Sequence, residues 1–322
     1  MQKIIPLVSV TMLTYNHEKY IAQAIESVLM QKTDFPFELV IGEDCSTDGT
    51  LAIVEAYARK NPEVIRVITD HVNVGALAND VRVNNACRGK YIATLEGDDF
   101  WNDVLKLQKQ VDFLENNAEY GLIHSDVNHF YEASQTLVKN YNAIHNFQIP
   151  EGDIYNELLD PGKYIIKTPT AVFRRELHDQ YVDYNIVRAK GWSIADLFTW
   201  LSMARFTKVK YLPEALATYR ILPDSASNTV DFRKKIKVHR SVYEIRSFFA
   251  KRYPCDEVIL KKIKTRHVET MLFDAFKTSD QKLAAETRKF ARENKIDFGL
   301  KNWVLYLGTK SKLFNRSLNL LW

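Results

Sequence analysis

The chain has 322 residues, of which 46% are hydrophobic and 26% charged, a composition that is typical of ordinary globular proteins and excludes a fibrous or disordered one. No apolar stretch approaches the roughly 20 residues that a membrane-spanning helix needs. The net charge of +4 is unevenly distributed, because residues 1–227 hold 22 basic and 30 acidic residues (−8) and residues 228–322 hold 22 basic and 10 acidic residues (+12).

The first elements of the chain alternate between two patterns. Continuous apolar runs predict strands, and apolar residues spaced three or four apart predict helices between them. This alternation is typical of a parallel sheet with helices on both faces, in which ligands bind beyond the carboxyl ends of the strands. The predicted strands are 7–14, 37–41, 64–69 and 91–95, and the predicted helices are 17–30, 47–58, 76–87 and 104–114.

Polar clusters follow each of these four strands. The clusters are Thr14-Tyr15-Asn16, Glu43 to Gly49, Asn73-Val74-Gly75 and Glu96-Gly97-Asp98-Asp99. Asn, Asp, Ser and Gly are ordinary loop residues, so one cluster by itself would indicate only a turn. Because parallel strands end at the same edge of a sheet, four such clusters together predict a ligand site at that edge.

The last cluster brings three carboxylates together, Glu96, Asp98 and Asp99, directly after an apolar strand and shortly before Trp101. Like charges this close repel unless a cation or a proton lies between them. Mg²⁺ or Mn²⁺ carrying a phosphate group suits oxygen ligands of this kind. The alternative is structural, since Asp98 or Asp99 could cap the helix predicted to begin near Asp103.

The pattern is less regular after residue 120 and becomes helical and basic near residue 228. The further strands are predicted at 121–127, at 164–173 with an interruption at Thr168-Pro169-Thr170, at 209–212 and at 215–219, with a helix at 194–204. The later helices are predicted at 232–252, 257–276 and 281–293, with breaks at Pro254 and Asp280. We therefore expect two domains, an α/β domain over 1–227 and a basic helical region over 228–322.

Several ordered segments within residues 6–222 form a recognisable set. They are Val8 to Asn16, Ile25 to Gln31, Glu38 to Thr50, Asn73 to Gly75, Gly89 to Ile92 and the acidic cluster at Glu96. This set resembles glycosyltransferase family 2, and its Glu-Gly-Asp-Asp form followed by two aromatic residues is most similar to a bacterial branch. The resemblance implies the GT-A fold, a Rossmann-like and mostly parallel sheet with helices on both faces.

The resemblance also implies roles for particular residues. Tyr15 would lie near the donor base, and Asp44 would accept the imide N–H of a uracil. Glu96 would contact the ribose, and Asp98 would bind the Mn²⁺ or Mg²⁺ that bridges the diphosphate. Asp196 stands near the family's catalytic base, although it could instead cap a helix. The donor-binding set as a whole would be Thr14, Tyr15, Asn16, Asp44, Glu96, Asp98 and Asp99.

Two positions depart from the family's pattern. Asp80 stands where many relatives have Arg, so a phosphate contact would fall to Arg82 or Arg88. Leu222 stands where relatives often have His, so metal binding would rest on Asp98, the diphosphate and water.

Two tryptophans have open alternatives. Trp101 could pack in the core or, being next to the carboxylates, could offer a ring on which a sugar stacks. Trp192 would line the acceptor side of the site.

The basic helical region has two interpretations as well. The segment 232–240 would be either a solvated helix face or a contact with anionic lipid that brings the site to a lipid-linked acceptor. The aromatic and apolar end, 303–322, has the composition of an interfacial helix, and a homodimer contact would have the same composition. No nucleic-acid recognition module is visible in the sequence, so nucleic acid is not expected as a partner.

Together these features predict an inverting, metal-dependent glycosyltransferase that moves a sugar from a nucleotide-sugar, with UDP the expected nucleotide, to a saccharide or lipid-linked acceptor. The resemblance to the family alone implies the context, which would be the biosynthesis of a surface polysaccharide such as capsule or lipopolysaccharide. Three widely spaced cysteines and an N-terminus without a signal-peptide pattern predict a cytoplasmic protein, peripheral on the inner membrane face if its last helices bind lipid.

Two rival functions stay open at this stage. A sugar nucleotidyltransferase usually has a glycine-rich loop after its first strand, where this chain has Thr14 to Glu18. A non-catalytic relative that only binds sugar or nucleotide is compatible with the two departures.

Overall fold

The computed structural model describes residues 5–162, 166–223 and 231–310. Contacts divide these residues into two compact units. The first unit consists of 5–154, 166–189 and 198–222, and the second of 155–162, 190–197, 223 and 231–310. The second unit therefore includes two short segments that lie before the basic helical region in the sequence.

The secondary structure of the described chain alternates strands and helices over its first half and is helical at its end. The strands are β1 Val8–Thr14, β2 Phe37–Glu43, β3 Ile65–Ile68, β4 Tyr91–Glu96, β5 Phe100–Trp101, β6 Tyr120–Tyr131, β7 Thr136–Val138, β8 Val172–Arg174 and β9 Lys208–Ile221. The helices are α1 Ile21–Leu29, α2 Thr50–Lys60, α3 Ala76–Ala86, α4 Lys106–Asn116, α5 Tyr141–Ile144, α6 Tyr155–Leu159, α7 Arg175–Tyr181, α8 Tyr184–Lys190, α9 Asp196–Ala204, α10 Phe232–Arg252, α11 Glu257–Thr278, α12 Gln281–Glu293 and α13 Leu300–Gly308.

The strands of the first unit form one sheet in the order β3-β2-β1-β4-β8-β6-β9-β5, with β7 paired to β6. The pairs β2-β3, β1-β2 and β1-β4 are parallel. The short β8 runs antiparallel to β4 and to β6, so β6 has the direction of β4 and β9 follows it in parallel. This mostly parallel sheet with flanking helices confirms the predicted fold class.

The order of the strands determines where a ligand can bind. The chain proceeds outward from β1 through β2 to β3 and then returns to β4 on the other side of β1. The carboxyl ends of β1 and β4 therefore lie at a topological switch point, the usual ligand position in open α/β sheets.

The core of the first unit lies between β1 and the helices that cover it. Val8, Val10 and Met12 alternate along β1 and are fully buried. Helix α1 buries four apolar side chains against these strand residues. They are Ile21, Ala24, Ile25 and Val28. Complete burial of one such side chain contributes roughly 1.5–3 kcal/mol, so this central layer dominates the stability of the sheet.

Two strand predictions are corrected by the structure. The predicted strand 164–173 lies in part outside the described residues. Its interruption at Thr168-Pro169-Thr170 is confirmed as a 3-10 turn, but the strand itself is confined to the three-residue β8. The two predicted strands around Pro213 are one strand, β9, whose register against β6 shifts between Leu212 and Ala215. Proline has no N–H to donate, and the irregular register accommodates it without ending the strand.

The second unit is made mainly of α10 to α13. The three longest of these helices each begin at an aspartate, and the N-cap carboxylates of Asp231, Asp256 and Asp280 accept backbone N–H groups of the first turns. Such caps satisfy amide groups that have no partner within the helix. These boundaries confirm the predicted starts of all three helices.

The apolar faces of α11, α12 and α13 form a separate core around Leu272, Phe276 and Leu305. The interfacial helix predicted over 303–322 falls in part on α13 and in part, from residue 311 onward, outside the described residues. Within the described residues, no helix combines the length and apolar character required to cross a membrane.

Candidate functional site

The carboxyl ends of β1, β2 and β4 are joined by backbone hydrogen bonds that continue past the strands. The register pairs Thr14 with Glu43 and Leu13 with Glu96. The N–H of Asp44 then donates to the carbonyl of Thr14 at 3.1 Å, and the N–H of Gly97 donates to that of Leu13 at 2.8 Å. Three of the polar clusters predicted from the sequence therefore meet at one edge.

Asp44 is held there by the loop that precedes α3. Its two carboxylate oxygens accept the backbone N–H groups of Val74 at 2.8 Å and Gly75 at 2.9 Å. Asn73 Nδ2 donates to the carbonyl of Asp44, also at 2.9 Å. Gly75 has a φ of +84°, a conformation that glycine adopts at little cost. The carboxylate, 3% exposed, thus has a fixed orientation.

The loop after β1 combines one exposed ring with one bracing side chain. Tyr15 is 43% exposed at the sheet edge. Asn16, with φ +56°, accepts the N–H of Thr47 at its Oδ1 (2.8 Å) and donates its own N–H to Ser46 Oγ (3.0 Å). Tyr15 is therefore open to a ligand, whereas Asn16 ties this loop to the loop after β2. Thr14, by contrast, is 2% exposed.

The turn that follows β4, Glu96 to Asp99, is called the acidic turn, and the segment from Thr14 to Tyr20 is called the β1 loop. The two approach each other very closely at Gly97. A Cβ atom at this position would lie 2.7 Å from Thr14 Oγ1 and 2.8 Å from His17 Nδ1. These two polar atoms are buried, and neither has a hydrogen-bond partner among the described residues. Only glycine fits here without displacing the β1 loop, so Gly97 fixes the distance between the acidic turn and that loop.

The proposed capping role of Asp98 or Asp99 is wrong. β5 follows the acidic turn, and α4 begins only at Lys106, with Leu105 at its N-cap. The side chain that contacts the start of this helix is Asp103, whose Oδ1 accepts the N–H of Leu105 at 2.7 Å. The carboxylates of the acidic turn therefore have no part in ending or starting a helix.

Arg220 on β9 holds the acidic turn in place. Its backbone N–H donates to Asp99 Oδ1 and its Nε donates to the carbonyl of Asp98, both at 2.7 Å. Its guanidinium also donates to Gln23 Oε1 at 2.6 Å and pairs with Glu132. Nothing in the sequence singles out Arg220 for this role, because contacts between residues more than 120 positions apart leave no local pattern.

Asp99 is the buried carboxyl group of this turn, and its environment disfavours the ionised form. It is 2% exposed, and its Oδ2 has no hydrogen-bond partner among the described residues. Burial raises the pKa of Asp99 well above its usual range, and the nearby carboxylates of Asp98 and Glu96 raise it further. A cation beside the turn would relieve this repulsion.

The residues present fit a divalent cation held through Asp98. Asp98 is partly exposed, and the two neighbouring carboxylates add negative charge. Among the described residues no group of three or more His, Cys, Asp or Glu side chains is arranged to hold a metal. Asp98 would therefore supply the protein ligand, and oxygens of a bound ligand would supply others.

The two tryptophans are buried, so the predictions that they contact sugar are corrected. Trp101 is 1% exposed, its Nε1 donates to the carbonyl of Pro169 at 2.9 Å, and Lys106 Nζ lies 4.3 Å from its ring centroid. Trp192 is 7% exposed in the second unit, where its Nε1 donates to Glu244 at 2.8 Å. Neither ring presents an open face on which a sugar could stack.

The positions that depart from the family pattern are now located. Asp80 accepts from Asn84 Nδ2 at 2.7 Å, and burial raises its pKa. Arg88 pairs with Glu38 at 2.7 Å, near the amino ends of the strands and away from the acidic turn. Arg82 donates to the carbonyl of Glu43 at 2.6 Å and lies 3.7 Å from Asp44, so of these two arginines it is the one at the ligand edge.

Asp196 is the first residue of α9, and its Oδ1 accepts the N–H of Leu197 at 2.7 Å. It belongs to the second unit, whereas the sheet edge belongs to the first. Its role as a base stays a prediction.

Comparison with known families gives a match over much of the first unit. The sequence model of the family described as "Glycosyl transferase family 2" matches residues 9–182 of this chain. The putative teichuronic acid biosynthesis glycosyltransferase TuaG of Bacillus subtilis is 31% identical over 226 residues, which cover 69% of this chain and 82% of TuaG. An uncharacterised protein of Mycobacterium tuberculosis is 33% identical over 215 residues, 66% of this chain, and the chain spans 58% of that relative's length.

Solved structures share the fold at low sequence identity. The mannosyltransferase PcManGT from Pyrobaculum calidifontis, in complex with GDP-Man and Mn²⁺, has a TM-score of 0.61 at 14% identity and covers 98% of this chain and 87% of its own. S. aureus TarS in complex with UDP-GlcNAc has a TM-score of 0.57 at 17% identity and covers 94% of this chain and 79% of its own. Likeness at this level of identity establishes the architecture alone.

Proposed function

Since the chain belongs to glycosyl transferase family 2, we propose that it transfers a sugar from a nucleotide-sugar donor to a saccharide or lipid-linked acceptor. The observation that carries the proposal is the meeting of Asp44, Glu96 and Asp98 at the carboxyl ends of β2 and β4, beside the switch point of the sheet. This row of polar groups suits a single ligand that contains a base, a ribose and a diphosphate.

The nucleoside half of the donor would lie between Tyr15 and Asp44. The exposed ring of Tyr15 offers a surface for a flat base. Each oxygen of Asp44 accepts one backbone N–H, and a carboxylate oxygen can accept a second hydrogen bond. An imide N–H would therefore find an acceptor that is already oriented, which favours UDP as the nucleotide. Glu96, at the end of β4, would accept ribose hydroxyls.

The diphosphate would lie at the acidic turn, where Asp98 would hold Mn²⁺ or Mg²⁺. When bound, such a cation acts as a Lewis acid on the leaving diphosphate, an effect worth several kcal/mol. The chain's own contribution is to hold Asp98 in place, which Arg220 does through the backbone carbonyl of that residue. Asp99 accepts the backbone N–H of Arg220 and so holds the turn from its buried side, and Thr14 and Asn16 shape the facing loop.

Inversion in a single displacement needs one carboxylate that takes the proton of the acceptor hydroxyl. Asp196 is proposed for this step, which contributes on the order of 10²–10⁴ in rate. Its Oδ1 accepts the N–H of Leu197, which fixes the carboxylate at the start of α9.

The acceptor is proposed to be a growing surface polysaccharide or its lipid-linked precursor. Support comes from TuaG, which is named for teichuronic acid biosynthesis. The basic helix α10 would allow the protein to associate with an anionic membrane surface on the cytoplasmic side. A homodimer through the C-terminal helices is the alternative use of the same surface.

Titration of UDP in the presence of Mn²⁺ tests the donor site. We expect Asp98→Ala to abolish the dependence of UDP binding on Mn²⁺, and Asp44→Asn to weaken UDP binding with or without the metal. Asp34→Ala serves as the matched control, because Asp34 is exposed and precedes β2 at the opposite edge of the sheet. Unchanged UDP affinity in both site variants would refute the proposal.

A further inference from the structure

A cavity of about 390 Å³ lies among the helices of the second unit. This volume is within the roughly 300–1,000 Å³ range of small-molecule sites. Helix α10 lines it with His239, Val242, Tyr243 and Arg246, whose i, i+3, i+4, i+7 spacing places them on one face of the helix. Helices α11 and α13 supply the other walls.

The facing helices α10 and α11 run in opposite directions along the cavity. His239 Nδ1 lies 2.7 Å from Asp274 Oδ2, near the start of α10 and the end of α11. One turn further along α10, the ring of Tyr243 stacks on His267 with centroids 3.9 Å apart. Arg246 follows on the next turn of α10, and its Nε donates to the carbonyl of Leu158 at 3.4 Å.

The lining is rich in positive charge. Among the described residues it contains the cationic side chains Arg246, Arg266 and Lys301 and one carboxylate, Glu269. Arg246 is only 5% exposed, and Glu269 lies 3.5 Å from Arg266. Helix α10 adds a background of eight Lys and Arg residues against one Glu. Arginine forks bind phosphate oxygens in pairs, so an anion of this type suits the cavity.

The remaining walls are apolar. The apolar side chains that line the cavity are those of Val242, Ile263, Phe273 and Leu305. Phe273 is 37% exposed, so part of this apolar surface is open to a ligand. His267 adds to this character, because burial and the nearby Arg240 lower its pKa to about 4 and keep the ring neutral at pH 7. Its Nδ1 is buried and has no hydrogen-bond partner among the described residues.

We propose that this cavity binds an anionic amphiphile, a phosphate monoester or diphosphate that carries an apolar chain. The phosphate contacts Arg246, Arg266 and Lys301, and the chain packs against the apolar walls. Every residue involved belongs to the second unit, so the proposal stands apart from sugar transfer at the sheet edge. The same chemistry is presented by a lipid headgroup in a bilayer and by a free alkyl or isoprenoid phosphate.

Isothermal titration of the full chain with decyl phosphate, below its micelle concentration, tests the proposal. Binding should be to one site, and affinity should rise from inorganic phosphate through butyl phosphate to decyl phosphate, since each added methylene buries more apolar surface. Decyl maltoside, which has the chain but no phosphate, should bind at least tenfold more weakly. The Asp98→Ala variant should bind decyl phosphate as the wild type does, which separates this cavity from the donor site.

The double variant Arg266→Ala/Lys301→Ala should weaken decyl phosphate binding by about tenfold or more, the size of a lost hydrogen bond to a charged group. Both residues are exposed, so the fold is expected to tolerate their removal. The matched control Lys282→Ala/Lys289→Ala removes the same charge from exposed positions of α12 outside the cavity. Equal binding by both double variants, or no preference for the longer chain, would overturn the proposal.

Vesicles of phosphatidylglycerol distinguish the two sources of the ligand. Vesicle binding that is lost in Arg266→Ala/Lys301→Ala but kept in the α12 control assigns the site to a bilayer lipid. Vesicle binding equal in the two variants, together with a selective loss of decyl phosphate binding, assigns it to a free amphiphile.

Discussion

Replacement of Arg220 by alanine is expected to destabilise the first unit and to release the acidic turn. The Arg220 side chain is 7% exposed and makes its contacts to three separate parts of the chain. The Nε contact with the Asp98 carbonyl, the Nη2 contact with Gln23 and the pairing with Glu132 are all lost. The backbone N–H that donates to Asp99 is kept, because any residue at this position supplies it.

The magnitude follows from what the substitution leaves behind. Removing one partner of a buried ion pair costs about 3–5 kcal/mol, and a hydrogen bond to a charged group contributes about 1.5–3 kcal/mol. Glu132 is 25% exposed, so water can solvate part of its carboxylate once the guanidinium is gone. The lower end of the range applies, and we expect the free energy of unfolding to fall by about 3 kcal/mol.

Urea denaturation followed by circular dichroism measures this loss. Arg59→Ala is the matched control, since Arg59 pairs with Glu55 at 3.5 Å on the surface with side chains 70% and 52% exposed. Removal of such an exposed pair changes stability by at most about 1 kcal/mol. At urea concentrations where Arg220→Ala is folded, its affinity for UDP with Mn²⁺ should still be reduced. A loss no larger than that of the control, with unchanged UDP affinity, would refute the bracing role of Arg220.

Three further outcomes are expected. Gly97→Ala should destabilise the protein by about 1–3 kcal/mol and weaken UDP binding, because its Cβ would lie 2.7 Å from Thr14 Oγ1. Gly299→Ala is the control, since a Cβ at Gly299 meets nothing within 4 Å. Equal urea midpoints for the two variants would contradict this prediction. Burial lowers the pKa of His124 to about 3. Below pH 6.5 this histidine is therefore protonated in the unfolded chain but neutral in the folded one. As the pH drops from 7 to 5, the free energy of unfolding should fall by about 2 kcal/mol because of this residue. In His124→Phe that part of the decrease should disappear, and an unaltered pH profile would rule out the assignment. Asp196→Asn should bind UDP normally and release no UDP from the donor at a measurable rate; retained turnover would move the base elsewhere.

The parts of the fold that depend on local pattern were predictable from the sequence. The bounds of α10 and α12 agree with those expected, because Asp231 and Asp280 cap them and amphipathic spacing runs through each. The four leading strands were visible as apolar runs with polar exits, and their parallel arrangement brings these exits together as anticipated.

The parts that depend on distant contacts were not predictable. The bracing of the acidic turn by Arg220 links positions 121 residues apart, and no periodicity encodes such a pair. For Trp101 the local sequence suggested a ligand contact, because this residue follows the carboxylates closely. The side chains of a strand point alternately to opposite faces, and that of Trp101 faces the core. Asp99, next but one before it, is buried as well, while Asp98 stays partly exposed.

The way in which the loop before α3 grips Asp44 has an implication for engineering nucleotide preference. Val74 and Gly75 hold the carboxylate through main-chain amides alone, and the Val74 side chain is 38% exposed. Any residue other than proline can provide the amide at position 74. If the base of the donor lies beside Asp44 as proposed, a library at this single codon would change the surface next to the base, in search of variants that accept other donors, while the Asp44 carboxylate keeps its orientation.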